Sequence, residues 1–171
     1  MEATTSTQDT AAANAALRDF AALAHRDPDS MKEAYAEDCV VEFVPLGLVL
    51  RGNEELREFF VGLFAAVPDL ETTFELAAAS DGVAVVEWRM QGHFTGASFQ
   101  GIEPTGRAVE LRGIDKMRVE NDLIAQNTAY YDGMSFARQV GMLPPQDSAG
   151  EKAMIGAFNA VTKLRSRFQQ R

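Results

Sequence analysis

A chain of 171 residues, 46% hydrophobic and 24% charged, has the size and composition of one globular domain with a substantial core. Its net charge of −9 disfavours a protein that holds a nucleic-acid backbone by neutralising phosphates with Lys and Arg. No run approaches the roughly 18 uninterrupted apolar residues of a membrane span, and the lone Cys39 cannot form an intrachain disulfide, which points to the cytoplasm.

Residues 1–14 lack the basic start and apolar run of a signal peptide and read as a disordered arm. Leu17, Phe20, Leu23 and Ala24 then recur at helical spacing. After Asp27-Pro28-Asp29, the capping box Ser30 to Glu33 opens a short second helix carrying Met31, Ala34 and Tyr35. Cys39 to Val44 has strand character, ended or bent by Pro45 and Gly47. Arg51-Gly52-Asn53 is a turn with Asn53 as N-cap, and Leu56, Phe59, Phe60, Leu63, Phe64 and Val67 form the buried stripe of a third helix closed by Pro68.

Strand patterns follow over 71–78, 83–94, 107–119 and 123–131. Asp81-Gly82, Pro104-Thr105-Gly106 and Glu120-Asn121-Asp122 supply their turns, so consecutive strands pair antiparallel. Two of the runs exceed the usual strand length, which predicts strong twist or a bulge near Gly92 or Gly113 and a sheet with a concave side. Ser135 to Val140 makes a brief helix stopped by Gly141 and Pro144-Pro145. Residues 146–171 read as a linker and an amphipathic helix whose Met154, Ala157, Phe158, Val161, Leu164 and Phe168 stripe requires burial against its own domain or a sister subunit. Its Lys163, Arg165, Arg167 and Arg171 form a solvated face. Helices ahead of a meander define an α+β fold: N-terminal helices packed on a strongly curved antiparallel sheet, plus an extra C-terminal helix.

Alternation along the strands nominates a site. Leu111, Gly113, Asp115, Met117 and Val119 share one face, and Asp115 is its single charge. A carboxylate on such a face is costly to ionise, which moves its pKa toward the working range of a general acid/base. Val86, Trp88, Met90 and Phe94 make the corresponding face of the preceding strand; Leu123, Ala125, Asn127, Ala129 and Tyr131 that of the last. Asn127 and Tyr131 can donate hydrogen bonds to a carbonyl or enolate oxygen. His25 and His93 join no ligand cluster, so no metal site is expected.

The ordered segments Arg51-Gly52-Asn53-Glu54-Glu55-Leu56, Pro68-Asp69-Leu70, Val86-Glu87-Trp88, Pro104-Thr105-Gly106-Arg107, Gly113-Ile114-Asp115, Leu123-Ile124, Tyr130-Tyr131-Asp132 and Gly141-Met142-Leu143 resemble the SnoaL-like polyketide cyclases, a branch of the nuclear transport factor 2-like superfamily. The resemblance implies a cone-shaped domain over 15–145, a homodimer, and an apolar small-molecule substrate such as a polyketide. It also implies ring closure by intramolecular aldol condensation, with a carboxylate as acid/base and neither metal nor organic cofactor. Family cyclases carry that carboxylate on the last strand, three residues before its closing aspartate; here the position is Ala129. The epoxide-opening branch would need an arginine and an aspartate where Trp88 and Met90 stand.

The expectation is therefore a cofactor-independent cyclase or isomerase with Asp115 as acid/base and Asn127 and Tyr131 as enolate donors. Tyr35, Phe43, Phe60, Trp88, Met90, Phe94, Leu111 and Met117 would contact substrate. The alternative is a binding or scaffold protein of the same fold that has lost the chemistry.

Overall fold

The structure, a computed structural model, describes residues 7–169, with side chains described through residue 166. Helix α1 (Thr7–Ala24) begins inside the segment read as an arm. Alanine-rich sequence favours helix, and Ala12, Ala15 and Ala16 are small enough to pack without a gap against the sheet, where they are fully buried. Residues 1–6 of that predicted arm lie outside the described residues. The buried face of α1 also carries Asp19, Phe20 and Leu23, whereas Leu17 turns out of it at 38% exposure.

Helix α2 (Pro28–Ala34) is capped by Asp27, whose carboxylate accepts from the Ser30 N–H at 3.1 Å, with Pro28 preset for the first turn. This replaces the predicted Ser30 to Glu33 box, in which Ser30 was to be the cap. Tyr35 leaves the helix and opens β1 (Tyr35–Phe43). A 3₁₀ turn (Val44–Leu46) then folds the short β2 (Leu48–Arg51), absent from the sequence reading, back onto β1. Gly52, at φ +87°, is the N-cap of α3 (Asn53–Ala66), one residue before the predicted Asn53.

The meander is β3 (Glu71–Ser80), β4 (Val83–His93), β5 (Ala108–Glu120) and β6 (Leu123–Tyr131), its strands antiparallel as expected. Sheet order is β2-β1-β6-β5-β4-β3, and β1 runs parallel to β6. The sheet is thus mixed rather than wholly antiparallel, because α3 carries the chain across to the far edge before the meander returns to β1. It curls around the helices without closing, and α1 lies across β3 to β6.

No bulge forms at Gly92 or Gly113, since β4 and β5 pair in unbroken register through both. The register shifts fall at Leu76/Ala78, Arg118/Val119 and Tyr35/Val40 instead. The two glycines permit close approach: a Cβ on Gly113 would lie 2.3 Å from Trp88 Cζ2, and one on Gly92 would lie 2.5 Å from Val67 Cγ1. The 94–107 connection is pinned to the end of α3 by Gly96 N–H and Ala97 N–H, which donate to Ala66 O and Ala65 O at 2.9 Å each.

Helix α4 (Gly133–Gln139) is N-capped by Asp132. Helix α5 (Ala149–Gln169) is tied at its start by the Glu151–Arg138 pair at 2.7 Å. Beyond that anchor Met154, Ile155, Phe158, Val161 and Leu164 are exposed, Phe158 at 70%. The predicted apolar stripe therefore has no cover among the described residues; the side chain of Phe168 lies outside them. Among the described residues no helix is long and apolar enough to cross a membrane.

Candidate active site

Antiparallel register places directly opposed side chains on the same face. On the concave side one row runs Val86, Asp115, Ala129, Phe43 across β4, β5, β6 and β1. The next runs Trp88, Gly113, Tyr131. Because Gly113 has no side chain, the Trp88 indole lies over β5 and its Nε1–H donates to Asp115 Oδ1 at 2.7 Å. From the row on the other side, Asn127 donates its amide N–H to Asp115 Oδ2, also at 2.7 Å. Asp115 is thereby gripped on both oxygens.

The hydrogen bonds continue beyond it. The same Asn127 nitrogen donates to Tyr35 Oη at 3.1 Å, and the Tyr35 O–H donates to Asp19 Oδ2 at 3.2 Å. A carboxylate accepts and does not donate, which orients the Asn127 amide with its nitrogen toward Asp115. Both amide hydrogens are then committed, so Asn127 turns only its acceptor oxygen to anything else. That oxygen and Asp19 Oδ1 are buried with no hydrogen-bond partner among the described residues. Asp19, Asn127 and Asp115 are exposed by only 2%, 4% and 8%.

Burial pushes the Asp115 carboxyl up to about 6, and the hydrogen bonds from Asn127 and Trp88 keep it from rising further. Asp19 is raised well above the carboxylate range, first by burial and then by the charge of Asp115, against one hydrogen bond from Tyr35. Tyr35 is held neutral by burial and by the two acids, and burial pushes Tyr131 up to about 12. Near neutral pH the network thus carries one negative charge, on Asp115, whose two donors both stabilise the anion.

These groups stand at one end of an apolar cavity of about 120 Å³. The predicted contacts Tyr35, Phe43, Phe60, Trp88, Met90, Phe94 and Leu111 all line it, together with Asp115, Asn127 and Tyr131. Met117 does not: it sits opposite Asn127, fully buried in the core behind the cavity. Phe43, Phe59, Phe60 and Phe99 build one wall, Phe43 stacked on Phe59 at 4.5 Å and Phe59 set edge-on to Phe99 at 5.2 Å. An engineered cavity of about 150 Å³ admits benzene, so the space here is about that of a single ring.

Sequence reasoning missed Asp19. The signal was present: an aspartate among Ala12, Ala15, Ala16, Phe20 and Leu23 on one helix face is as anomalous as Asp115 on its strand. The remaining reactive types lie elsewhere. Cys39 is buried, which raises its thiol to about 11, and His93 pairs with Asp69 at 2.7 Å in an exposed position.

A curled sheet packed on helices over an apolar cavity makes this an α+β cone. The chain belongs to the SnoaL-like polyketide cyclase family, whose model matches residues 12–140. A protein from Jannaschia sp. CCS1, assigned as a SnoaL-like polyketide cyclase, superposes with a TM-score of 0.68 at 19% identity, over 85% of this chain and 99% of that one. One from Silicibacter sp. TM1040, assigned as a polyketide cyclase, gives 0.69 at 23% identity, over 77% and 96%. A protein with a ketosteroid isomerase-like fold from Catenulispora acidiphila gives 0.63 at 17% identity, over 74% and 92%. At these identities the structures establish the fold alone. No curated protein matches the chain.

Proposed function

We propose that the protein is a cofactor-independent catalyst of carbon–carbon ring closure or enol isomerisation, with Asp115 as its acid/base. The observation that carries the reading is the setting of Asp115: buried at the polar end of an apolar cavity, gripped by Trp88 and Asn127 at 2.7 Å each, and titrating near 6. A base is most effective when its pKa lies near the operating pH. Asp115 also stands directly across from Ala129. The acid usual on the last strand is thus supplied from the neighbouring strand, at the same level and on the same face, which favours a catalyst over a scaffold that has lost its acid.

In the forward reaction the Asp115 carboxylate removes a proton from a carbon next to a ligand carbonyl. The enolate carbon attacks a second carbonyl of the same molecule, forming the ring bond. The resulting alkoxide takes the proton back from Asp115, so substrate and product are isomers and no redox partner is required. Tyr131, neutral and at the cavity wall, donates to the enolate oxygen. Asn127, with both N–H groups committed, positions Asp115 and Tyr35 rather than binding the enolate. The partner class is an apolar carbonyl compound. Two copies of the chain would associate through the outer sheet face, where the exposed Ile114 and Tyr130 pair across β5 and β6.

The test uses 2,6-heptanedione, a flexible diketone that closes to one six-membered ring. The protein should accelerate deuterium exchange at its α-carbons and its cyclisation, and Asp115→Asn should lower both by about 100-fold or more. Exchange that is unchanged in Asp115→Asn refutes the assignment.

A further inference from the structure

Within the hydrogen-bond network one acid is left with a single donor. Asp19 receives a single hydrogen bond, from the neutral Tyr35, and its Oδ1 has no partner. The titratable groups facing it are Tyr35 from β1 and Asp115 from β5. Trp88 and Asn127, from β4 and β6, are uncharged, and α2 and β3 bring Met31, Ala34, Phe74 and Leu76 to the same core. Among the described residues no cation balances a second charge there. An ionised carboxylate in that position would be desolvated, supported by one hydrogen bond and repelled by its neighbour, so the neutral acid is the stable form. The proton belongs on Oδ1, because Oδ2 is already occupied as an acceptor.

That proton has a use only at the cavity, whose wall Asp19 forms. The donors of the network itself are spent: Trp88 and Asn127 on Asp115, Asn127 again on Tyr35, and Tyr35 on Asp19; Tyr131, also at the cavity wall, stands outside the network. We infer that Asp19 presents a carboxylic O–H to the cavity and holds the carbonyl oxygen of a bound ligand, making an apolar ketone or a related carbonyl compound the ligand class. The unpartnered Asn127 oxygen at the same end leaves an acceptor for a hydroxyl on the same ligand. This inference rests on the reading of the cavity as a ligand site, and not on turnover.

Two probes of nearly identical shape and one-ring size separate the cases: acetophenone and ethylbenzene, titrated into the full-length protein by NMR. The ketone should bind about fivefold tighter, the worth of one net hydrogen bond. Asp19→Leu should erase that preference, Asp19→Asn should keep it through its amide N–H, and Tyr131→Phe should leave most of it. If neither probe binds, the ligand-site reading fails and the inference with it. If both bind equally to the wild type, or if Asp19→Leu retains the preference, the cavity stands and the role of Asp19 is refuted. Should Asp19→Leu not fold, the C=O stretch of bound acetophenone in Tyr131→Phe decides. A stretch lowered from its value in hydrocarbon solvent supports the O–H contact, and an unshifted one overturns it.

Discussion

Trp88 is the only tryptophan, and its indole N–H ends on Asp115, so its fluorescence should report the titration of the proposed acid. Emission should shift with an apparent pKa of about 6, and the shift should vanish in Asp115→Asn. The same titration has a stability counterpart. The carboxyl is raised from its ordinary 3.8 to about 6, so the folded state holds a proton that the unfolded chain has released. Its contribution is present below the unfolded value and is lost as pH rises through the folded one. The full effect is about 3 kcal/mol, of which about 2 kcal/mol falls between about pH 4.5 and 7.5. Urea unfolding of wild type and Asp115→Asn at these two pH values isolates it, because the carboxyls that do not interact with Asp115 cancel in the difference. Wild type should lose about 2 kcal/mol relative to the variant on going to the higher pH. A difference that is flat with pH, or a fluorescence inflection that survives in Asp115→Asn, refutes the claim that burial controls this acid.

Gly113→Ala should drive the indole off β5 and break its bond to Asp115, costing about 2–4 kcal/mol by urea unfolding and raising the fluorescence midpoint; a near-neutral variant would show that the close approach is unimportant. Met117→Ala should destabilise by about 2–5 kcal/mol and leave acetophenone affinity unchanged, since this residue packs the core behind the cavity; weakened binding in a folded variant would count against that placement. Phe158→Ser should change the unfolding free energy of the isolated chain by less than about 0.5 kcal/mol, because its ring is exposed. A loss above about 2 kcal/mol would mean that α5 packs on the domain after all.

Much of the architecture is local and was legible. Alternation placed Asp115, Trp88 and Met90 on one face, the 3.6-residue period identified α3 and α5, and Asp81-Gly82 and Asn121-Asp122 adopt the positive φ values that tight hairpins require. Family resemblance carried the cone. The N-cap of α2 lies three residues before the predicted Ser30, because Asp27 and Ser30 can both satisfy free N–H groups of the first turn, and that of α3 lies one residue before the predicted Asn53, at a glycine whose positive φ sets the path of the chain.

A face is a property of a segment, and sequence by itself determined which faces are apolar and where a charge interrupts them. Which faces meet is decided by tertiary structure. Tyr35 reaches Asp19 and Asn127, 16 and 92 residues away, and only that convergence makes two separately odd aspartates into one network with a single charge. The same holds for Gly113, whose missing side chain matters because Trp88 crosses it, and for β1, which finds β6 as a parallel partner only after the meander has returned. The period of α5 promised a buried stripe; whether any surface lies opposite it depends on where the chain beyond Pro145 is carried, and among the described residues none does.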